Sequence, residues 1–186
     1  VPAPDPATSA WPSLFGTDRA LLSRFRRVVT QNNNAFTYAP EYGGDPATLR
    51  GLGETVYAAA YPASLVPRPR VLVVGVGGGM DVLTALRFDA ASVTGVEVNG
   101  ATLEILRRTY REHFRRWVED PRVRIVHGEG RHFLASREDR YDVIQLSGVD
   151  SVSGTPGAAH VFSESYLYTA EALDLYTQTK TVWIGL

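Results

Sequence analysis

The stretch VLVVGVGGGMD, residues 71–81, decides the fold of this chain. Its first four residues are apolar, and a short apolar run of this kind predicts a strand buried on both faces of a sheet. Gly75, Gly77 and Gly79 allow the backbone to turn sharply into a helix that begins near Met80. A strand, a glycine-rich turn and a helix in this order predict the first unit of a doubly wound sheet.

A second apolar run, residues 92–97, ends in a carboxylate. We interpret it as the second strand, with Glu97 at its carboxyl end about twenty residues after the glycine turn. A carboxylate at this position accepts hydrogen bonds from both hydroxyl groups of a cofactor's ribose. The glycine turn and Glu97 together therefore predict a site for a nucleoside cofactor.

Two residues at the start of the helix indicate which kind of nucleoside fits. A turn that binds a dinucleotide needs a third small residue where this chain has Met80. Asp81 places a negative charge in the first helical turn, where it would repel a pyrophosphate, and Glu97 would repel a 2′-phosphate. A cofactor without phosphates fits better, and an NAD-dependent oxidoreductase stays as an alternative that Met80 and Asp81 count against.

Composition excludes several classes of function. The chain has 186 residues, 44% hydrophobic and 21% charged, which is ordinary for a globular domain. A net charge of −1 provides no basic surface for nucleic acid, and no apolar run is long enough to cross a bilayer. Cysteine is absent and the four histidines lack metal-ligand spacing, so we expect no metal site. We expect a cytoplasmic protein without a nucleic-acid partner.

The chain is predicted to have two parts. Residues 1–45 are an N-terminal lead-in with one short helix, which is capped by Thr17 and has an apolar face extending to Val28. Residues 46–186 are the nucleoside-binding α/β domain, and its first helix is predicted to end near Tyr61. The proline-rich start leads us to expect a domain from a longer protein.

The strongest amphipathic pattern in the chain follows the second strand. Apolar residues recur there at spacings of three and four, which predicts one helix packed on a face of the sheet. These residues are Leu103, Leu106, Tyr110, Phe114 and Trp117.

Further strands are predicted at residues 123–126, 141–146 and 181–186. The alternation of strands and helices predicts an α/β fold, a Rossmann-like doubly wound and mostly parallel sheet flanked by helices. A complete sheet of this type has more strands, so we expect the chain to be truncated at its carboxyl terminus.

Two further acids, Glu129 and Asp150, follow the third and fourth predicted strands. In a doubly wound sheet these strand ends line the same crevice as Gly77 and Glu97. A loop rich in serine, glycine and proline also begins there, at residue 147. Such loops are where binding residues collect.

Four segments together resemble the spermidine synthase-like group of the S-adenosylmethionine-dependent methyltransferase superfamily. They are the glycine turn, the strand ending in Glu97, HGEGRHFL from residue 127 and YDVIQLSGVDSVSGTPGAAHVFSESYLYTAEAL from residue 141. The resemblance covers roughly residues 50 to 176 and includes uncharacterised bacterial proteins, some of which carry the domain beside membrane segments. It implies a transferase that moves a methyl or aminopropyl group from S-adenosylmethionine, or its decarboxylated form, to a small amine-type acceptor such as a polyamine. A homodimer is among the assemblies that it implies.

The resemblance also assigns roles to individual residues. Glu97 binds the ribose hydroxyls, and Glu129 stands where the family usually has an aspartate that reads the adenine amino group. The remaining residues expected at the cofactor are Gly75, Gly77, Gly78, Gly79, Asp81 and Gly130.

Two positions depart from the pattern of authentic aminopropyltransferases. Gly78 stands where the family has an aspartate that holds the donor's amino group, and Ser147 where it has an aspartate that deprotonates the attacking amine. An ammonium group has no lone pair, so transfer to an amine needs a base. An unactivated hydroxyl group cannot replace a carboxylate as this base, so we do not expect an authentic spermidine synthase. The residues expected in the catalytic part are Ser147 and Asp150, and Asp150 matches the family's second acid in that loop.

Four side chains are candidates to complete a substrate pocket. They are Tyr38, Glu41, Tyr42 and Tyr166. The alternative to a transferase is a non-catalytic nucleoside-binding or sensory domain of a larger bacterial protein, which has kept the nucleoside site and lost the base.

Overall fold

Five parallel strands form the central sheet of this computed structural model, which describes residues 15–31, 35–63, 66–147 and 182–185. The strands are β3 (Arg70–Val74), β4 (Ser92–Glu97), β5 (Val123–His127), β6 (Val143–Ser147) and β7 (Val182–Gly185). Their order is β5-β4-β3-β6-β7, and each neighbouring pair is parallel. The predicted α/β fold with a mostly parallel sheet is confirmed.

The order of the strands reverses between β3 and β6. The chain first builds outward from β3 through β4 to β5, and then places β6 on the opposite side of β3. Val74 at the end of β3 pairs with Leu146 of β6, so the glycine turn and Ser147 lie at the same edge of the sheet. A reversal of this kind opens a crevice at the carboxyl ends of the strands, where ligands bind.

The residues of β3 alternate between two hydrophobic clusters, one on each face of the sheet. Val71 and Val73 belong to the larger cluster, which includes residues of α3 (Met80–Arg87). Leu72 and Val74 belong to the smaller cluster, together with a residue of α6 (Gly130–Ala135). Burial on both faces of the sheet explains why residues 71–74 of β3 are all apolar.

The amphipathic segment after β4 is not a single α-helix. It consists of α4 (Gly100–Glu104), a π-helical turn (Ile105–Thr109) and α5 (Arg111–Val118). A π-helical turn holds one residue more than an α-helical turn, so the residues after it are rotated about the axis. Tyr110, predicted on the buried face, is therefore 48% exposed, whereas the other four apolar residues of the pattern are buried.

The N-terminal part of the described chain differs from the prediction. Asp18, not Thr17, caps α1 (Arg19–Leu22), and its carboxylate accepts hydrogen bonds from two backbone N–H groups of the first turn. The helix ends before Val28, which begins strand β1 (Val28–Gln31).

An antiparallel hairpin pairs β1 with β2 (Ala35–Tyr38). The larger hydrophobic cluster contains side chains from α1 and the hairpin alongside those of the parallel sheet. The predicted division at residue 45 stays a prediction.

The segment before β3 was expected to be one helix and is instead a series of short ones. Two 3-10 helices, Pro46–Glu54 and Val56–Ala58, precede α2 (Ala60–Ala63). Gly51 lies so close to α1 that an added Cβ would come within 2.7 Å of the Asp18 side chain. Interior glycines disfavour a regular α-helix, and this close approach accounts for the one at residue 51.

Within the described ranges, no helix combines the length and apolarity that crossing a membrane requires. The same residues contain no group of three or more histidine, aspartate or glutamate side chains that could hold a metal ion.

Candidate functional site

The glycine turn after β3 has a backbone that only glycine adopts readily. Gly75, Gly77 and Gly79 have φ angles of +84°, +50° and +95°. Space is also limiting, because a Cβ on Gly79 would lie 2.5 Å from the buried ring of Trp117. The predicted turn is therefore present, and the ring of Trp117 packs closely against it.

The carboxylate of Glu97 is fixed against this turn. Its Oε2 accepts a hydrogen bond from the Gly77 N–H at 3.0 Å, and its Oε1 accepts one from the Asn99 N–H at 2.8 Å. The side chain is only 6% exposed. A carboxylate has about four acceptor positions, so two hydrogen bonds leave lone pairs available to further donors.

Val98 presents apolar surface beside this carboxylate. Its side chain is 66% exposed, directly after the buried Glu97. The Val98 carbonyl lies 3.2 Å from Nε2 of His127, which ties this loop to the end of β5. Val98 was not predicted as a site residue, although an apolar residue in a polar loop after a strand-end acid is a detectable signal.

Glu129 lies at the neighbouring strand end, because β5 is adjacent to β4 in the sheet. Its two carboxylate oxygens accept hydrogen bonds from the N–H groups of Arg131 and His132, each at 2.8 Å, and so cap α6. The side chain is exposed, and Gly130 behind it is buried. The predicted adenine contact of Glu129 stays a prediction.

Gly78 is closed off by the hairpin. A Cβ at this position would lie 2.1 Å from the carbonyl oxygen of Tyr38, and the Gly78 N–H donates to Oγ1 of Thr37 at 3.4 Å. Strand β2 therefore rests on the glycine turn. A longer side chain at residue 78 has no room unless β2 moves.

The two predicted substrate tyrosines in and after the hairpin are buried, and Glu41 between them is partly exposed. The ring of Tyr38 packs against Phe15 and Phe25, with ring centroids 4.9 and 5.1 Å apart. Tyr42 is also buried, and this burial, with the nearby negative charge of Asp120, raises its pKa. Contacts of these tyrosines and of Glu41 with a substrate stay predictions.

Asp81 faces the interior of the protein. Its Oδ1 accepts hydrogen bonds from Ser147 Oγ at 2.9 Å and from Nε2 of Gln145. Gln145 also donates to the backbone carbonyl of Tyr57 at 3.0 Å and accepts from the hydroxyl group of Tyr61 at 2.8 Å. These contacts connect α3, β6, α2 and the preceding 3-10 helix.

Burial raises the pKa of Asp81 to about 7, and the hydrogen bonds from Ser147 and Gln145 only partly offset this effect. Asp81 was predicted at the cofactor, and Gln145 was not predicted as a site residue. Its detectable signal is an amide side chain between the apolar Ile144 and Leu146 of β6. The predicted catalytic residue Ser147 thus lies beside Asp81, whose burial was not predicted. Asp150 and Tyr166 lie outside the described residues.

Comparison with known proteins gives a consistent family relationship. A family model described as the spermine/spermidine synthase domain matches residues 55–185. Polyamine aminopropyltransferase 1 of Pseudomonas aeruginosa is 33% identical over 98 residues, which are 52% of this chain and 33% of that protein. The polyamine aminopropyltransferase of Thermococcus onnurineus is 27% identical over 171 residues, 86% of this chain and 59% of that protein. The chain thus spans about one third to three fifths of the length of these curated relatives.

Solved structures give weaker similarities. The spermidine synthase of Thermotoga maritima has a TM-score of 0.47 at 24% identity, covering 65% of this chain and 38% of that one. Human methyltransferase-like protein 13, solved in complex with SAH, has a TM-score of 0.47 at 22% identity, covering 64% of this chain and 56% of that one.

Proposed function

Since this chain belongs to the spermine/spermidine synthase domain family, we propose that it binds S-adenosylmethionine or its decarboxylated form and transfers a methyl or aminopropyl group to a small amine. The observation that carries the proposal is the Glu97 carboxylate, which is fixed on the Gly77 N–H at the reversal point of the sheet. Ligands of doubly wound folds bind at this point.

The residues around the turn fit a nucleoside without phosphates. Glu97 offers its remaining lone pairs to the ribose hydroxyls, and Val98 offers apolar surface to the base. Glu129, at the next strand end, offers acceptors to the exocyclic amino group of adenine. The Glu97 carboxylate, which is held against the turn, disfavours a phosphate group there, because the two negative charges would repel each other.

When bound, a sulfonium donor supplies an alkyl group that is already activated for displacement. The protein then has to hold the acceptor in line with the reacting bond and remove a proton from an ammonium group. Gly78 has no room for the aspartate that the family uses to hold the donor's amino group, because Tyr38 fills that space. The amino group of a decarboxylated donor would therefore have to be held by another residue.

Calorimetry tests the nucleoside site directly. We expect wild-type protein to bind S-adenosylmethionine, its decarboxylated form or methylthioadenosine, and not NAD. Replacing Glu97 by Ala should weaken this binding by about tenfold or more, because one or two charge-assisted hydrogen bonds are lost.

Glu104→Ala is the matched control, since Glu104 is exposed and, in the part of the chain that the structure describes, forms its ion pair with the exposed Arg108 of the following π-helical turn. Binding of NAD alone, or an unchanged affinity in the Glu97→Ala variant, would contradict the proposed site. Nucleoside binding without transfer to any of a set of small amines would favour the non-catalytic binding domain.

A further inference from the structure

A buried carboxyl group that the proposed nucleoside contacts do not use lies next to Ser147. Asp81 is 4% exposed, and its hydrogen-bond partners on other elements are the neutral side chains of Ser147 and Gln145. Within the described ranges, no arginine, lysine or histidine forms an ion pair with it. An acid without a cationic partner is costly to bury, so a purely structural role explains its presence poorly.

Ser147 connects this acid to the crevice. It is the last residue of β6, at the strand end next to the glycine turn, and it is half-buried whereas Asp81 is fully enclosed. Its hydroxyl group lies 2.9 Å from Oδ1 of Asp81 and donates to it. A hydroxyl group in this position can take up one proton and pass on its own, which a carboxylate alone in the interior could not do for a substrate outside.

We propose that Asp81 is the proton acceptor for the attacking amine, reached through the hydroxyl group of Ser147. The inference rests on the proposed transferase function and adds a base to it. Asp81 acts through Ser147 and is thus a positioning and proton-holding residue, while Ser147 is the residue that meets the substrate.

The proposed reaction combines a proton transfer with an alkyl transfer. The acceptor's ammonium group gives a proton to Ser147 Oγ as the Ser147 hydroxyl gives its own proton to the Asp81 carboxylate. The amine now has a free lone pair and attacks the carbon attached to the sulfonium sulfur. A C–N bond forms as the C–S bond breaks, and the bonding electron pair stays on sulfur, which becomes a neutral thioether.

The groups packed around Asp81 do not compete for this proton near neutral pH. From β6, Gln145 and Ser147 contribute neutral donors. Tyr57 and Tyr61, from the elements before β3, have pKa values that burial and the charge of Asp81 raise further above their ordinary range, so both stay protonated. A base is most effective when its pKa lies near the working pH, and the pKa of about 7 at Asp81 meets this condition.

The first experiment is a carbon-13 NMR titration of the aspartate side-chain carboxyl groups, in protein saturated with methylthioadenosine. We expect one carboxyl group to titrate near pH 7 and to be missing in the Asp81→Asn variant. Ser147→Ala should raise that pKa further, because a hydrogen bond that stabilises the carboxylate is removed. Putrescine should lower it and 1,4-butanediol should not, since only the diamine brings positive charge next to Ser147.

The second experiment measures transfer to putrescine as a function of pH. Asp81→Asn keeps the shape and the acceptor oxygen of the network, so methylthioadenosine affinity should stay within about twofold while transfer falls by about a hundredfold or more. The rise of the wild-type rate with a midpoint near pH 7 should disappear in this variant. Asp139→Asn makes the same chemical change on an exposed residue and should alter neither quantity.

Three results would overturn the proposal. They are titration of Asp81 in the ordinary carboxyl range, a titration that neither Ser147→Ala nor putrescine alters, and unchanged transfer with an unchanged pH midpoint in Asp81→Asn. If the protein shows no transfer to putrescine, the titration of the Asp81 carboxyl group alone tests the proposal. Failure of the proposed function gives different results, which are either no nucleoside binding by the wild type or nucleoside binding without transfer to any small amine.

Discussion

The neighbouring glycines of the turn are required for different physical reasons. Gly77 and Gly79 have positive φ angles, which the glycine motif itself predicts. Gly78 has no such angle, and it is small because the backbone of Tyr38 lies against it. That reason is invisible in the local sequence, since Tyr38 comes from a distant segment of the chain.

Gly78→Ala tests this close approach. The new Cβ would lie 2.1 Å from the Tyr38 carbonyl oxygen, so β2 has to move away from the turn. We expect a loss of about 1–3 kcal/mol in the free energy of unfolding, the usual cost of inserting a methyl group into packed structure. Urea denaturation followed by circular dichroism measures it.

Gly43→Ala is the matched control, because a Cβ at Gly43 would meet nothing within 4 Å and its φ is not positive. This variant should be as stable as wild type or slightly more stable. Equal stability of the two variants would mean that β2 does not rest on Gly78.

At the scale of elements, the helix after β4 shows how one extra residue alters a pattern. The Tyr110 N–H donates to the carbonyl of Ile105 at 3.0 Å, a hydrogen bond that spans five residues instead of four. Leu106 before this turn and Phe114 after it both face the core, and Tyr110 between them does not. The spacing of apolar residues predicted a straight α-helix because a π-helical turn changes the period only locally.

Deletion of the exposed Thr109 should therefore be tolerated. It converts the π-helical turn into an α-helical one and leaves Leu106 and Phe114 on the same face, so we expect a change in unfolding free energy within about 1 kcal/mol. Insertion of an alanine after Thr109 rotates α5 by about 100° and should cost more than about 3 kcal/mol. Thermal unfolding of both variants measures these changes. Equal losses of stability would argue against the interpretation of the π-helical turn as a one-residue insertion.

The sequence best predicts the elements whose buried residues are neighbours in a short apolar run. Strands β3, β4 and β6 are mainly apolar and mostly buried, and the resemblance built on them is confirmed by the family match. The hairpin and the 3-10 helices were missed because tertiary contacts decide them, such as that of Gly51 with Asp18. In the site, the turn and Glu97 could be predicted from spacing, whereas the contacts of Asp81 required the fold.

At the scale of the whole molecule, Asp81 couples folding to pH. Its pKa is 3.8 in an ordinary environment and about 7 in the folded protein, so the folded state holds a proton that the unfolded chain releases. The resulting stabilisation is fully present below pH 3.8 and is lost as the pH rises through about 7.

Comparison with Asp81→Asn isolates this effect, because an asparagine does not titrate. The unfolding free energy of wild type relative to the variant should be lower by about 2 kcal/mol at pH 7 than at pH 5. Urea denaturation at both pH values measures the difference. An unchanged difference would show that Asp81 titrates normally in the folded protein, and a wild type that becomes more stable than the variant toward pH 7 would show that its pKa is lowered.

The contact between β2 and the glycine turn also has a consequence for protection against hydrogen exchange. Thr37 lies against Gly77, which donates a hydrogen bond to Glu97, and Tyr38 lies against the next residue of the turn. A ligand that stabilises the turn therefore also stabilises the hairpin. Local opening of β1 and β2 then becomes less frequent in the complex. We therefore expect the backbone amides of β1 and β2 to exchange with deuterium more slowly when the ligand is bound. Their exchange would report binding at the glycine turn, which is distant from them in the sequence.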